Sequence, residues 1–90
     1  MSYAIELTNS ARDALLRLPP LVARHVVAEL ARLAEHPTQL SRPARLLDPP
    51  GQLFEIKLAA GGMDWHVDVI FTYSVDEQSL IVAHLAWETA

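Results

Sequence analysis

Glu55 and Lys57 lie two residues apart, His66 and Asp68 do the same, and His84 follows further on. A spacing of two puts both members of a pair on one face of a strand. A carboxylate or imidazole beside a ribose takes the 2'-hydroxyl proton, and a second imidazole protonates the leaving oxygen. Lys57, the sole lysine, can hold the charge that builds on a phosphate. These residue types suit RNA cleavage by 2'-hydroxyl attack, with Glu55, Lys57, His66 and His84 as the catalytic candidates. The same residues also make ordinary neighbours on a solvated sheet, where opposite charges across strands contribute about 0.2–1 kcal/mol. A zinc site of His66, Asp68 and His84 is chemically reasonable. Three such residues arise easily by chance, however, so no metal and no other cofactor is expected.

The elements that must position these residues are legible in the periodicity. Tyr3, Ile5 and Leu7 alternate with Ala4 and Glu6, which predicts a first strand. Thr8-Asn9-Ser10 offers helix N-caps, after which Ala11, Ala14, Leu15 and Leu18 recur at helical spacing until Pro19-Pro20 stops the run. Pro20 opens a second helix with Val22, Val26, Leu30 and Leu33 on one stripe and Ala23, Val27 and Ala34 beside it. That helix ends near His36, because Pro37 disfavours helical backbone in the residue before it. His25 and His36 are expected as surface or capping residues. Pro37 to Gly51 holds four of the six prolines and reads as a connecting loop, in which Ala44 to Leu47 allow a short turn. Its Arg42 and Arg45 are the candidate RNA-binding residues, although a loop arginine is as readily solvated or paired with Asp48.

Three further strands are expected at Leu53–Leu58, Trp65–Tyr73 and Leu80–Trp87, with Ala59-Ala60-Gly61-Gly62 and Asp76-Glu77-Gln78 as turns. The result is an α+β fold of order β-α-α-β-β-β, a small antiparallel sheet with a two-helix hairpin packed on one face. Strand parity turns Phe54, Ile56 and Leu58, and Trp65, Val67, Val69 and Phe71, toward the helices. In the last strand it turns Ile81, Ala83, Leu85 and Trp87 inward, and Leu80, Val82 and His84 outward. Glu55, Lys57, His66, Asp68 and His84 then share the open face. Trp65 and Trp87 are expected to pack in the core rather than stack on bases. An outward Leu80/Val82 patch, or a free strand edge, would offer a homodimer surface.

Ninety residues, 51% hydrophobic, support one domain spanning residues 1–90. There is no cysteine, so neither a disulfide nor a thiolate metal site braces the chain. The opening Met1-Ser2-Tyr3-Ala4-Ile5-Glu6 carries no basic leader, and no stretch approaches the roughly 18 apolar residues of a membrane span. No membrane contact and a cytoplasmic location are therefore expected. Seven Lys+Arg against eleven Asp+Glu give a formal charge of -4, the reverse of a phosphate-binding footprint.

The series Tyr3-x-Ile5-x-Leu7-Thr8-x-x-Ala11-x-x-x-Leu15-x-x-Leu18-Pro19, then a long amphipathic helix ending Leu33-Ala34-x-His36-Pro37, then Leu53-Phe54-Glu55-Ile56-Lys57, resembles the RelE/ParE toxin superfamily. The resemblance implies a bacterial toxin-like component of a type II toxin–antitoxin system, neutralised by a cognate antitoxin protein. It implies one of two targets. One is mRNA on the ribosome, cleaved as by an mRNA interferase, that is, a ribosome-dependent endoribonuclease; similarity to superfamily nucleases that use a glutamate and a histidine implies Glu55 with His84 or His66 as the proton-transfer pair. The other is DNA gyrase, inhibited without catalysis as in the ParE branch. A non-toxic remnant serving as a binding module is the third expectation. The sequence departs from the RelE pattern where Val67-Asp68-Val69-Ile70-Phe71 replaces a Tyr-Arg-aliphatic-aliphatic-Tyr motif. Asp68 then stands at the arginine position, or His66 if the register shifts by two, and the residues at the end of the last expected strand, Trp87-Glu88-Thr89-Ala90, lack the basic character that the resemblance leads one to expect there.

Overall fold

The computed structural model describes residues 2–44 and 51–90. Its elements run β1 (Ala4–Leu7), α1 (Asn9–Arg17), α2 (Pro20–Glu35), α3 (Pro37–Leu40), β2 (Arg42–Ala44), β3 (Gly51–Ala60), β4 (Met63–Ser74) and β5 (Ser79–Thr89). The expected α+β order is present. Part of the stretch read as a loop adds the one-turn α3 and the short edge strand β2. Proline is confined to sheet edges because it cannot donate to a ladder, and Pro43 sits on such an edge opposite Gln52.

One sheet orders the strands β1-β5-β4-β3-β2. The β2–β3, β3–β4 and β4–β5 pairs are antiparallel, while β1 lies parallel to β5 at the other edge. The tight β3–β4 hairpin follows from Gly61-Gly62. Both glycines have positive φ, 61° and 77°, the backbone that a two-residue loop demands. That turn pairs Ala60 with Met63 and so fixes Glu55 opposite Asp68 and Lys57 opposite His66.

Each helix buries the predicted stripe. Thr8 is the N-cap of α1, its hydroxyl accepting from the Ala11 amide at 3.2 Å. Val22, Val26, Leu30, Leu33 and Ala34 are the buried residues of α2. They meet Phe54, Ile56, Trp65, Val67, Val69, Phe71, Leu80, Val82 and Leu85 from the sheet in one apolar core. Trp65 and Trp87 both lie on that side, and the buried Trp65 indole donates to the Ala60 carbonyl at 3.2 Å. Outside the core, Leu16, Leu21 and Val27 remain exposed on the helices.

The last strand corrects the parity read from the sequence. Ile70 pairs with His84 and Phe71 with Val82, so Ala83 is an extra residue with no partner on β4. This β-bulge switches the strand between faces. Leu80 and Val82 are fully buried rather than outward, Ile81 is exposed rather than inward, and Leu85 and His84 regain the expected sides. The proposed Leu80/Val82 dimer patch is therefore interior. The bulge is tied to α1: the Thr8 hydroxyl donates to the Ala83 carbonyl at 2.7 Å and the Thr8 amide donates to the Val82 carbonyl at 3.1 Å.

Two measurements check this arrangement. Leu80→Ala should cost about 2–5 kcal/mol in a denaturant unfolding series, as for a large aliphatic side chain removed from a closed core, while Ile81→Ala should cost under about 1 kcal/mol; the reverse ranking would restore the unbulged register. Thr8→Ala removes a cap and a tether together and should lose about 1–2 kcal/mol, more than Thr8→Ser.

Candidate active site on the open sheet face

The register sorts the open face into rows. Leu53, Ile70 and His84 lie abreast, then Glu55, Asp68 and Ala86, then Lys57, His66 and Glu88. All four proposed catalytic residues share this face, and Asp68 joins them. Their closest approach is a knot of three side chains. His66 Nε2 lies 3.2 Å from Glu55 Oε1 and 3.0 Å from Asp68 Oδ1. On the far side of Glu55, Arg42 Nη2 approaches Oε2 at 3.5 Å.

Arg42 is thus an edge-strand residue on β2 beside the site, not a loop arginine. Arg45 and Asp48, its proposed companions in the loop, lie outside the described residues. Lys57 sits opposite His66, and the two line a cleft of about 550 Å³ with Asp64, Trp65 and Glu88. His84 stands one row from the knot, exposed and abreast of Ile70, and among the described residues no ion pair includes it. The structure therefore brings His66, rather than His84, against Glu55. His25 and His36 are exposed on α2 and at its C-cap, as expected; His25 lies 3.9 Å from Glu29.

The contacts within the knot are close without being well-formed hydrogen bonds. His66 Nε2 and Asp68 Oδ1 are each shielded from solvent, yet neither has an aligned hydrogen-bond partner. A strong hydrogen bond needs the oxygen near the N–H axis, and a single N–H cannot point at two oxygens at once. The side chains themselves are one-third to less than one-half exposed, so their mutual attraction is moderated by solvent. Around the knot, Glu55, Asp64, Asp68 and Glu88 outnumber Lys57 and Arg42, so the open face is acidic, as the chain is overall.

The signal for the knot was present in the sequence. Once Gly61-Gly62 is read as a two-residue turn, Ala60 faces Met63, and counting back along both strands puts Glu55 opposite Asp68. What periodicity alone could not reveal is the contribution of Arg42, whose strand is too short to carry a pattern.

No known family model matches the chain, and no curated protein matches it. Solved structures do. A chain of the RelBE2 toxin–antitoxin complex from Mycobacterium tuberculosis is similar with a TM-score of 0.74 and 20% identity, over 98% of this chain and 100% of that one. A chain of the intact E. coli RelBE toxin–antitoxin complex gives 0.69 and 15%, over 94% and 95%. The E. coli toxin RelE, as a double arginine mutant in the free state, gives 0.69 and 14%, over 96% and 83%. Identities this low speak for the backbone rather than for the site: the chain has the RelE fold.

Proposed function

We propose that the chain is the toxin-like component of a type II toxin–antitoxin system of the RelE/ParE superfamily, working in the bacterial cytoplasm against a cognate antitoxin. The observation that carries this reading is a fold likeness over nearly the whole chain to chains from two toxin–antitoxin complexes. The exposed Leu16, Leu21 and Val27 of the helix hairpin add apolar surface of the sort a protein partner covers.

The finer reading is ribosome-dependent mRNA cleavage on the open face. Glu55 or His66 takes the 2'-hydroxyl proton, the other imidazoles, His66 or His84, return one to the leaving oxygen, and Lys57 with Arg42 meets the phosphate. Each proton-transfer group of this kind contributes roughly 10²–10⁴ in rate. A second reading is favoured by the charge of the face. Four carboxylates against two permanent cations repel RNA, whereas a gyrase-type target need not be anionic, and a non-toxic binding module needs neither.

Tightly induced expression in a bacterial host separates them, with the parent beside Glu55→Ala/His84→Ala and His66→Ala and with mRNA integrity followed in the same cultures. Arrest and transcript cleavage by the parent alone are expected for the nuclease, with cleavage in vitro falling at least about 100-fold in the variants. Arrest by all forms with intact mRNA selects the gyrase-type reading. No arrest by any form leaves the binding module and removes the toxin assignment.

A further inference from the structure

From the sheet geometry, independently of the toxin reading, we infer that Glu55, His66 and Asp68 bind a first-row divalent metal ion of the zinc class. The first observation is the register. Glu55 and Asp68 are directly opposed on an antiparallel pair, where like charges destabilise. A cation between them converts that repulsion into attraction. The chain places the imidazole nitrogen of His66 at this point, within 3.2 Å of one carboxylate and 3.0 Å of the other.

The second observation is the spacing. One ligand atom from each of the three residues lies within 4.8 Å of the other two. Around a tetrahedral zinc with nitrogen and oxygen ligands at about 2.0–2.2 Å, neighbouring ligand atoms stand about 3.3–3.5 Å apart. The two measured edges therefore fall a few tenths of an ångström short of a coordination face, a gap that small side-chain rotations close.

The third observation is direction. His66 Nε2 and Asp68 Oδ1 are shielded and without aligned hydrogen bonds. A hydrogen bond wants its acceptor on the ring N–H axis, whereas a metal occupies that axis and holds its other ligands off it. Neither carboxylate oxygen takes up the hydrogen-bonding position on that axis, although both are close to the nitrogen. Arg42 reaches the other oxygen of Glu55, Oε2, and so orients the carboxylate while leaving Oε1 for the ion, the role of an outer partner to a ligand.

One imidazole and two carboxylates suit zinc, manganese or cobalt better than magnesium, which favours all-oxygen octahedral surroundings. Three protein ligands leave a four-coordinate ion one position for water or a phosphate oxygen. A bound dication would also cancel the two facing carboxylates and lower the repulsion of the open face toward anions, and, with Glu55 Oε1 and His66 Nε2 engaged as ligands, it would leave proton transfer in the nuclease reading to His84.

The test titrates tag-free, metal-stripped protein with Zn²⁺ and separately with Mg²⁺ by calorimetry, with thermal melting in parallel to verify that each variant folds. One Zn²⁺ per chain is expected, with no comparable heat from Mg²⁺. The melting midpoint should rise with Zn²⁺ in the parent, since a ion bound only by the native state stabilises it. His66→Gln and the near-isosteric Asp68→Asn should each weaken Zn²⁺ binding by at least about tenfold, while His84→Gln and His36→Gln should leave it unchanged. If His66→Gln fails to fold, Asp68→Asn decides alone. Absence of zinc binding, equal binding of magnesium, retention in Asp68→Asn, or loss in His84→Gln or His36→Gln overturns the site.

Discussion

The Thr8 hydroxyl at the Ala83 carbonyl holds together two decisions that the chain makes far apart. One is where α1 begins, since the same oxygen accepts from the Ala11 amide. The other is where β5 changes face. Without an extra residue at Ala83, a strand with strict alternation could not bury Leu80, Val82 and Leu85 together and still present His84 to the open face. A bulge leaves a carbonyl outside the regular ladder, and an unpaired carbonyl beside a core is costly. The Thr8 side chain supplies its donor, so the helix cap and the strand irregularity satisfy each other.

The rest of the architecture follows from that frame. With the lower half of β5 turned inward, Leu80 and Val82 stand beside Ile5 and Leu7 of the parallel strand β1, and the core continues under α1 and α2. With the upper half aligned to β4, the open face keeps three regular rows, of which the two nearer the glycine turn carry Glu55, Asp68, Lys57, His66 and Glu88. The helices thus determine only one face of the sheet. The other face is left to the hairpin register, and it is there that Glu55, His66 and Asp68 converge.

The parts legible from sequence are those set by local rules. The caps, the two helical stripes and the parity of β3 and β4 each depend on residues within a few positions of one another and are found as read, while the turn expected over Ala59–Gly62 narrows to Gly61-Gly62 because Ala59 and Ala60 pair with Asp64 and Met63. The face of Glu55, Lys57, His66 and Asp68 follows from them. The parts that were not legible depend on distant partners. Alternation along β5 favours Ile81, Ala83, Leu85 and Trp87 for the core, and the switch that buries Leu80 and Val82 instead depends on Thr8, 75 residues away. Likewise β2, three residues with a proline at their centre, has no period of its own and is a strand only because β3 lies beside it. The ion pair between Arg42 and Glu55 was hidden for the same reason.

A bulged strand behaves like a message with a shifted reading frame. Positions before Ala83 are addressed by odd-even rules counted from one end, and positions after it by the same rules counted from the other. Adding or removing one residue on β5 would therefore not act locally: on one side of the change it would exchange solvent-facing and core-facing side chains wholesale. Length variation in this protein is consequently far easier to accommodate at the Val75–Gln78 turn, where no face is being counted, than anywhere within β5.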